Sequence, residues 1–557
     1  MRRRLTRAFA FAILSTAAAA PPAHSQRVLG VGDDALVLPR GVLRVRVLGQ
    51  FTEFNERYGL DTPGRPDGAL EPLGVDLTLD TVGVLQFPNL ASLQAGLRSL
   101  SGIPNFGLTL GNTVVGVSNR VTAIPIVIEA GLTSKLSVGV SIPYVRTRSN
   151  VTFLANTGGF QGNVGFNPAL GNPTAMAQNT AFAAQFSSAA AQLNASLAAC
   201  LGSTAPQCAA LNAQRGNAQA LIASASQFAA GVGQIYSTSP FVPIAGTDAQ
   251  LAIDARVAAF KALYASFGVT SITTTGPFAS QTRLTARDVQ QILTQPAFGV
   301  LSDPLQTVNR GHIGDIDIGG EFALLDTFGG STEARMSPKG LNYRAAVGAV
   351  VRLPTGQGDS PNNFTDLGTG QGQTDLEGRF FGDVLIGSRF WQSFVVRYIN
   401  QLADNEFIRI TDLPGRTLAP QYRRQKVERD LGNVFEFETT PRVVINQFFA
   451  VSGMYFFRRK SEDSYKGMYT IPAGETGFTD ITLNAATLNL ETEAREHRIG
   501  GGISFSNLYA FEQGKAKIPF EVTYLHWQTT GGSGGNQPKF FTDQIQLRLY
   551  SRLFGGK

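Results

Sequence analysis

The chain has 557 residues, a formal net charge of +6 and only 16% charged side chains, against about 25% in an ordinary soluble domain. Four of the positive charges, Arg2, Arg3, Arg4 and Arg7, stand in the first 25 residues, which hold no acid, so +2 remains for the rest. No basic run in that remainder points to nucleic acid, and that partner is excluded.

From the N-terminus, the four arginines precede an apolar stretch from Ala8 to Ala20, and small residues follow at Ala23 and Ser25. This is the pattern of a secretory signal peptide over 1–25, cut before Gln26. The apolar run is too short for a bilayer span, which takes roughly 20 residues. No later segment offers a continuous apolar run of that length. A membrane protein without such runs must be a closed barrel, because hydrocarbon leaves no other way to satisfy every backbone group. Residues 26–557 are therefore expected to form a transmembrane antiparallel β-barrel in the outer membrane, with lipid as its surroundings. The class is all-β, with one helical insertion.

The strands show as period-2 alternation, since successive side chains of a strand point to opposite faces. In the first, Leu43, Val45, Val47, Gly49 and Phe51 share a face, and Arg44, Arg46, Leu48, Gln50 and Thr52 share the other. Ile318, Gly320, Phe322 and Leu324 likewise oppose Asp315, Asp317, Gly319 and Glu321. Ala345, Val347, Ala349, Val351 and Leu353 oppose Arg344, Ala346, Gly348, Val350 and Arg352. Near the C-terminus Ile545, Leu547 and Leu549 oppose Gln544, Gln546 and Arg548. Twelve such segments are expected: 42–57, 106–131, 135–153, 312–326, 340–356, 373–390, 392–409, 428–443, 447–460, 490–506, 517–529 and 538–554. Short connections at 131–135, 327–339, around Trp391, at Asn446 and at 507–515 alternate with long ones. That is the asymmetry of bacterial barrels, with short periplasmic turns and long extracellular loops. Aromatics near predicted strand ends, such as Phe51, Phe54, Tyr58, Phe390, Trp391, Tyr455, Phe456, Phe457, Tyr524, Trp527, Tyr550 and Phe554, suit interfacial girdles.

Residues 174–300 follow a different rule. Phe182, Phe186, Leu193 and Leu197 recur at helical spacing, as do Ile253, Val257, Phe260, Tyr264 and Phe267, with Gly268 placed to end that helix. Thr285 and Asp288 have the spacing of a capping box ahead of Val289, Ile292 and Leu293. Three or four amphipathic helices are expected in this long extracellular loop. Cys200 and Cys208 are the only cysteines. In an exported chain they are expected to form a local disulfide, and with no histidine nearby they make no zinc site.

Three motifs stand in order on consecutive predicted strands: KLSVGVSIPYV at 135–145, GDIDIGGEFAL at 314–324 and AVVRLPTG at 349–356. Together they resemble the outer-membrane family named for the MetA pathway of phenol degradation. The resemblance implies a barrel that passes hydrophobic or aromatic compounds. The chain departs from it by the helical insertion and by Gly555-Gly556-Lys557 after Phe554.

Little in the sequence suggests catalysis, and neither cofactor nor metal is expected. His497 lacks the serine two residues away that an outer-membrane phospholipase needs. Asp315 and Asp317 near His312 could poise a base, but pairing with Arg344 and Arg352 on the next strand is the simpler reading. Asp359, Asn362, Asn363 and Asp366 match no calcium-loop spacing and suit turn chemistry. GTGQGQ at 368–373 lacks the helix of a phosphate loop. The inward face is where selectivity would lie: Arg44, Arg46, Asp315, Asp317, Glu321, Arg344, Arg352, Arg379, Asp383, Arg397, Glu436, Glu438, Glu521, Arg548 and Arg552. The expected function is a channel for small, hydrophobic or aromatic solutes. The alternative is an occluded anchor that displays the helical insertion for surface binding. Sequence leaves the choice, and the oligomeric state, open.

Overall fold

In a computed structural model the described residues are 33–59, 67–159, 161–328, 338–412, 417–477, 479–534 and 537–552. The expected signal peptide and Phe554 lie outside them. Two compact units emerge: the stretch up to Leu77 with Val115–Thr152 and Ser302–Lys557, and Thr78–Val114 with Phe153–Leu301.

The first unit is a closed barrel of twelve antiparallel strands. They are β1 (Val42–Phe54), β2 (Thr113–Gly131), β3 (Leu136–Ala155), β4 (Val308–Ile313 and Ile316–Asp326), β5 (Leu341–Leu353), β6 (Asp375–Ile386), β7 (Phe390–Gln401), β8 (Val434–Val444), β9 (Phe449–Lys460), β10 (Ala494–Ser506), β11 (Phe520–Ser533) and β12 (Phe541–Arg552). Each strand pairs with its neighbours in sequence, and β12 pairs with β1 to close the ring. β4 is broken at Gly314 and Asp315, yet both pieces pair with β3.

The alternation expected from sequence is the alternation observed. On β1, Arg44, Arg46, Leu48, Gln50, Thr52 and Phe54 are buried. The opposite face is greasy and exposed all round the ring: Ile126 is 47% exposed, Phe322 44% and Ile503 57%. A water-soluble protein rarely presents a continuous apolar surface of this extent. Lipid explains it. Among the described residues no helix is long and apolar enough to cross a membrane.

Several expectations need correction. The segments 392–409 and 428–443 do not run straight through. β7 stops at Gln401, and Asp404–Arg409 pairs instead with Arg424–Asp430 in a separate hairpin. Ser464–Lys466 joins that hairpin as a third strand. The described parts of the connections 410–427 and 461–489 are thus folded, around a core of Ile410, Val427, Ile471, Leu483 and Ala485. The turn expected around Trp391 lies at 387–389, with positive φ at Gly387, and Trp391 belongs to β7. The girdle reading fails for Phe54, Phe456 and Trp527, which are buried on inward faces.

The second unit is mainly helical: α1 (Ala91–Ser101), α2 (Pro173–Ala199), α3 (Pro206–Ala213), α4 (Arg215–Thr238), α5 (Asp248–Ser266) and α6 (Ala286–Thr294). Phe186 packs on Phe182, Phe228 and Phe260, so the rings from α2, α4 and α5 share one core. Gly268 has φ +78° just past α5, and Thr285 with Asp288 forms the capping box of α6. The unit also takes in 78–114, where α1 lies. The carbonyls of Ser99 and Leu100 accept hydrogen bonds from Arg256 on α5. Cys200 and Cys208 are joined, with their Cα atoms 5.1 Å apart.

Two outcomes follow from this architecture. Ile126→Arg places a charge on the lipid face between Val47 and β3, and unfolding in lipid vesicles should show a loss of about 2–4 kcal/mol. Replacing Cys200 and Cys208 by serine opens a short loop, and the helical signal at 222 nm should melt earlier, with a loss of roughly 2–3 kcal/mol.

Candidate functional site

Twelve strands make a barrel wider than the roughly eight whose wall side chains fill the interior. The inward face of this one carries charges of both signs, and register sets them against each other. Arg352 stands across from Asp317 and donates to it through Nε at 2.8 Å and Nη2 at 3.0 Å. Arg344 stands across from Asp383, 3.0 Å away. Arg397 stands across from Glu436, 3.8 Å away, and reaches Glu438 at 3.0 Å. Arg548 stands across from Glu521, 3.9 Å away. Arg379 donates to Glu377 on its own strand at 2.7 Å. Arg352 answers the Asp317 stripe as expected, whereas Arg344 turns to the other neighbour, β6. Arg552 keeps the inward register but is exposed at the end of β12. Near that same end of the barrel, Trp391 lies between the guanidinium groups of Arg344 and Arg442, 4.8 and 5.3 Å from its ring centre.

Two chain segments fill what the wall does not. The first is 33–38, just before β1. Asp33 accepts from Arg46 Nη1 at 2.9 Å, and the amide of Ala35 donates to Asp383 at 3.1 Å. Ala35 and Val37 pack on Ala346, Phe381 and Val395, inward residues of β5, β6 and β7. The segment therefore occupies the lumen at the short-turn end, where Gly41 donates to the carbonyl of Gly131.

The second is the connection between β5 and β6, which folds inward at the long-loop end. Residues 365–371 are buried throughout. Leu367 packs with Phe54 and Phe540, and its carbonyl accepts from Thr147 on β3 at 2.9 Å. The amide of Gln371 donates to Asp315 at 2.8 Å, as the amide of Gly356 does at 2.9 Å. Arg429 of the outer hairpin donates to the carbonyl of Gln371. Gly368 and Gly370 of GTGQGQ now have a reason. A Cβ at Gly370 would meet Asp315 Oδ1 at 2.5 Å and the Cα of Gly356 at 2.7 Å. The loop crosses its own backbone too closely for a side chain.

The residues weighed for chemistry are engaged structurally. Asp315 holds the loop through its two amide bonds, Asp317 holds Arg352, and the exposed His312 ring bonds the carbonyl of Ile313 at 2.9 Å. Asp359 and Asn363 accept from the backbone of their own loop. Asn362 accepts from Arg409. Asp366 pairs with Arg310; burial pushes its carboxyl up to about 6 all the same. No group of three acidic, histidine or cysteine side chains suited to a metal occurs among the described residues.

Sequence reading missed Glu129, which accepts from Arg44 Nε at 2.6 Å and Arg46 Nη2 at 2.9 Å. The signal was there, because Ile124, Ile126 and Ile128 face lipid and so turn Val127 and Glu129 inward. It also missed Glu496 and Arg498, a pair at 2.7 Å on β10. Asp33 and Asp34 carried no periodic signal at all. Between the inserted segment and the wall a cavity of about 70 Å³ remains. That is room for a few waters, and less than the ~150 Å³ that accepts a benzene ring.

Closure, a lipid-facing apolar band and a charged interior define the class: a twelve-stranded transmembrane β-barrel of the outer-membrane type. No protein-family model matches this sequence, and no curated protein does. Among solved structures it is similar to an outer membrane channel of Pseudomonas putida F1, at 7% identity over 94% of this chain and 100% of that one, with a TM-score of 0.39. It is also similar to a FadL homologue of Pseudomonas aeruginosa, at 8% identity over 92% and 90%, TM-score 0.26. A third is the P. putida toluene transporter TodX, at 10% identity over 93% and 92%, TM-score 0.22. The barrel assignment here stands on the strand closure and surface of this chain itself.

Arg352→Leu should cost about 3–5 kcal/mol by leaving the Asp317 carboxylate buried without its guanidinium. Adding Asp317→Leu should recover most of that loss, read by denaturant titration of the folded barrel in detergent.

Proposed function

We infer that this chain is a gated channel of the Gram-negative outer membrane for small solutes. One observation carries the reading. The barrel is too wide for its wall to fill, and it is closed by two chain segments, 33–38 and the 354–374 connection, rather than by wall side chains alone. Segments held by a few ion pairs and hydrogen bonds are the parts of such a barrel that can leave while the ring stays whole. The signal-like N-terminus supports export, and the apolar outer band supports a membrane position. The three motifs on β3, β4 and β5 support aromatic or otherwise hydrophobic compounds as the solute class. The paired inward charges, Arg44 to Arg548, are then the lining of the passage.

A second reading draws on the inserted segments. Residues 33–38 and 365–371 lie inside the barrel as it stands. It would then be an occluded anchor for the helical unit, whose surface would bind a partner.

Planar-bilayer recording separates the two. Wild-type protein should conduct little and intermittently. Deletion of 33–38, or Gly370→Val to dislodge the inner loop, should give long-lived openings. If both variants stay silent in bilayers while running as folded barrels on unheated gels, the channel reading fails and the anchor stands.

A further inference from the structure

The ion pairs that hold the inserted segment describe a ligand. Asp33 and Asp34 enter a part of the lumen lined by Arg44, Arg46, Arg379 and Arg548, with Glu129 and Glu321 as the acids of the wall. With the segment gone, Arg379 keeps Glu377 and Arg548 keeps Glu521, whereas Arg44 and Arg46 are left to share Glu129. Neighbouring arginines add to this field: Arg397 also bears on Asp33, and Arg344 and Arg442 on Asp34.

The wall does not satisfy Arg46 by itself. Arg46 divides its donors between Glu129, through Nη2, and Asp33, through Nη1, both at 2.9 Å. Among the described residues its buried Nε has no hydrogen-bond partner, and neither has the Nε of Arg548. The side chain of Arg46 is only 5% exposed. Its attraction for a carboxylate is therefore little screened, and leaving a buried guanidinium unpaired is costly. Arginine presents a planar fork that matches a carboxylate. Gly139, Gly319 and Gly348 line the cavity beside it and leave it unfilled. The space is thus built for one more carboxylate than the wall supplies, and the inserted segment delivers it.

We propose that the arginines holding Asp33 and Asp34 form, once that segment leaves, a binding site for the carboxylate of a small acidic solute. The proposal rests on the channel reading and names its substrate class: a compact organic acid, aromatic where the rest of the passage allows. The solute carboxylate takes the place of Asp33 on Arg46, so binding and displacement of the segment are one exchange. Neutral molecules of the same shape gain nothing from that exchange.

The test uses full-length protein in planar bilayers under a KCl gradient, with benzoate as the probe and benzyl alcohol as its neutral match. Asp33→Asn with Asp34→Asn should raise the open fraction several-fold and shift the reversal potential toward chloride. Millimolar benzoate should then reduce the chloride current in a concentration-dependent way, and benzyl alcohol should not. Adding Arg46→Gln to that double variant should remove most of the benzoate effect and the anion preference. An open double variant that prefers potassium overturns the site and leaves the channel reading intact. So does a benzoate effect that survives Arg46→Gln with Arg548→Gln. If neither the double variant nor the chain lacking 33–38 conducts, the channel reading falls and the site with it.

Discussion

Hydrocarbon offers no partner to a backbone amide or carbonyl, and each one left unpaired there costs several kcal/mol. Each of the twelve strands therefore pairs on both sides, and β12 returns to β1. Much else follows from that closure. One face of every strand must be apolar because lipid touches it. The other face turns to an enclosed space where polar groups are sheltered from bulk water. The meander order follows too, since joining each strand to the next in sequence needs only turns and loops at the two ends.

The enclosed face then has its own problem. Charges there are nearly buried, as Arg397 and Glu438 are at 2% and 0% exposure, and a buried charge must be paired. Antiparallel register answers this by setting arginine across from carboxylate on adjacent strands, as in Arg352 and Asp317 or Arg344 and Asp383. Such pairs tie the wall together around its circumference. They do not close the lumen, because the ring is too wide. Closure falls to the segment ahead of β1 and to the inner loop. Each borrows wall groups: Asp383 and Arg46 for the first, Asp315 and Thr147 for the second. The groups that hold each segment inside the ring are therefore groups of the lumen wall.

The outer connections show the same economy at a different place. The hairpin Asp404–Arg409 with Arg424–Asp430 and the strand Ser464–Lys466 build a small sheet with its own core. Arg429 reaches from it to the carbonyl of Gln371 and so steadies the inner loop. Connections that are long in sequence thus have a core of their own because they pack on one another.

The sequence by itself determined the wall. Lipid on one side and a polar interior on the other impose a period of two, and that period is local: it can be read from Val42 to Phe54 without knowing what lies beside them. It also marked the helices, since the spacing of Phe182 and Phe186 and the capping box at Thr285 are equally local. Register, and with it the partner of each charge, came only from the tertiary structure. Arg344 meets Asp383, 39 residues away, and no local pattern says so. Nor does one say that Asp33 lies inside the barrel, or that the glycines of 368–373 let a loop cross itself at Asp315. Those contacts join residues apart in the chain, and they exist only because the ring sets neighbouring strands and the inserted segments side by side.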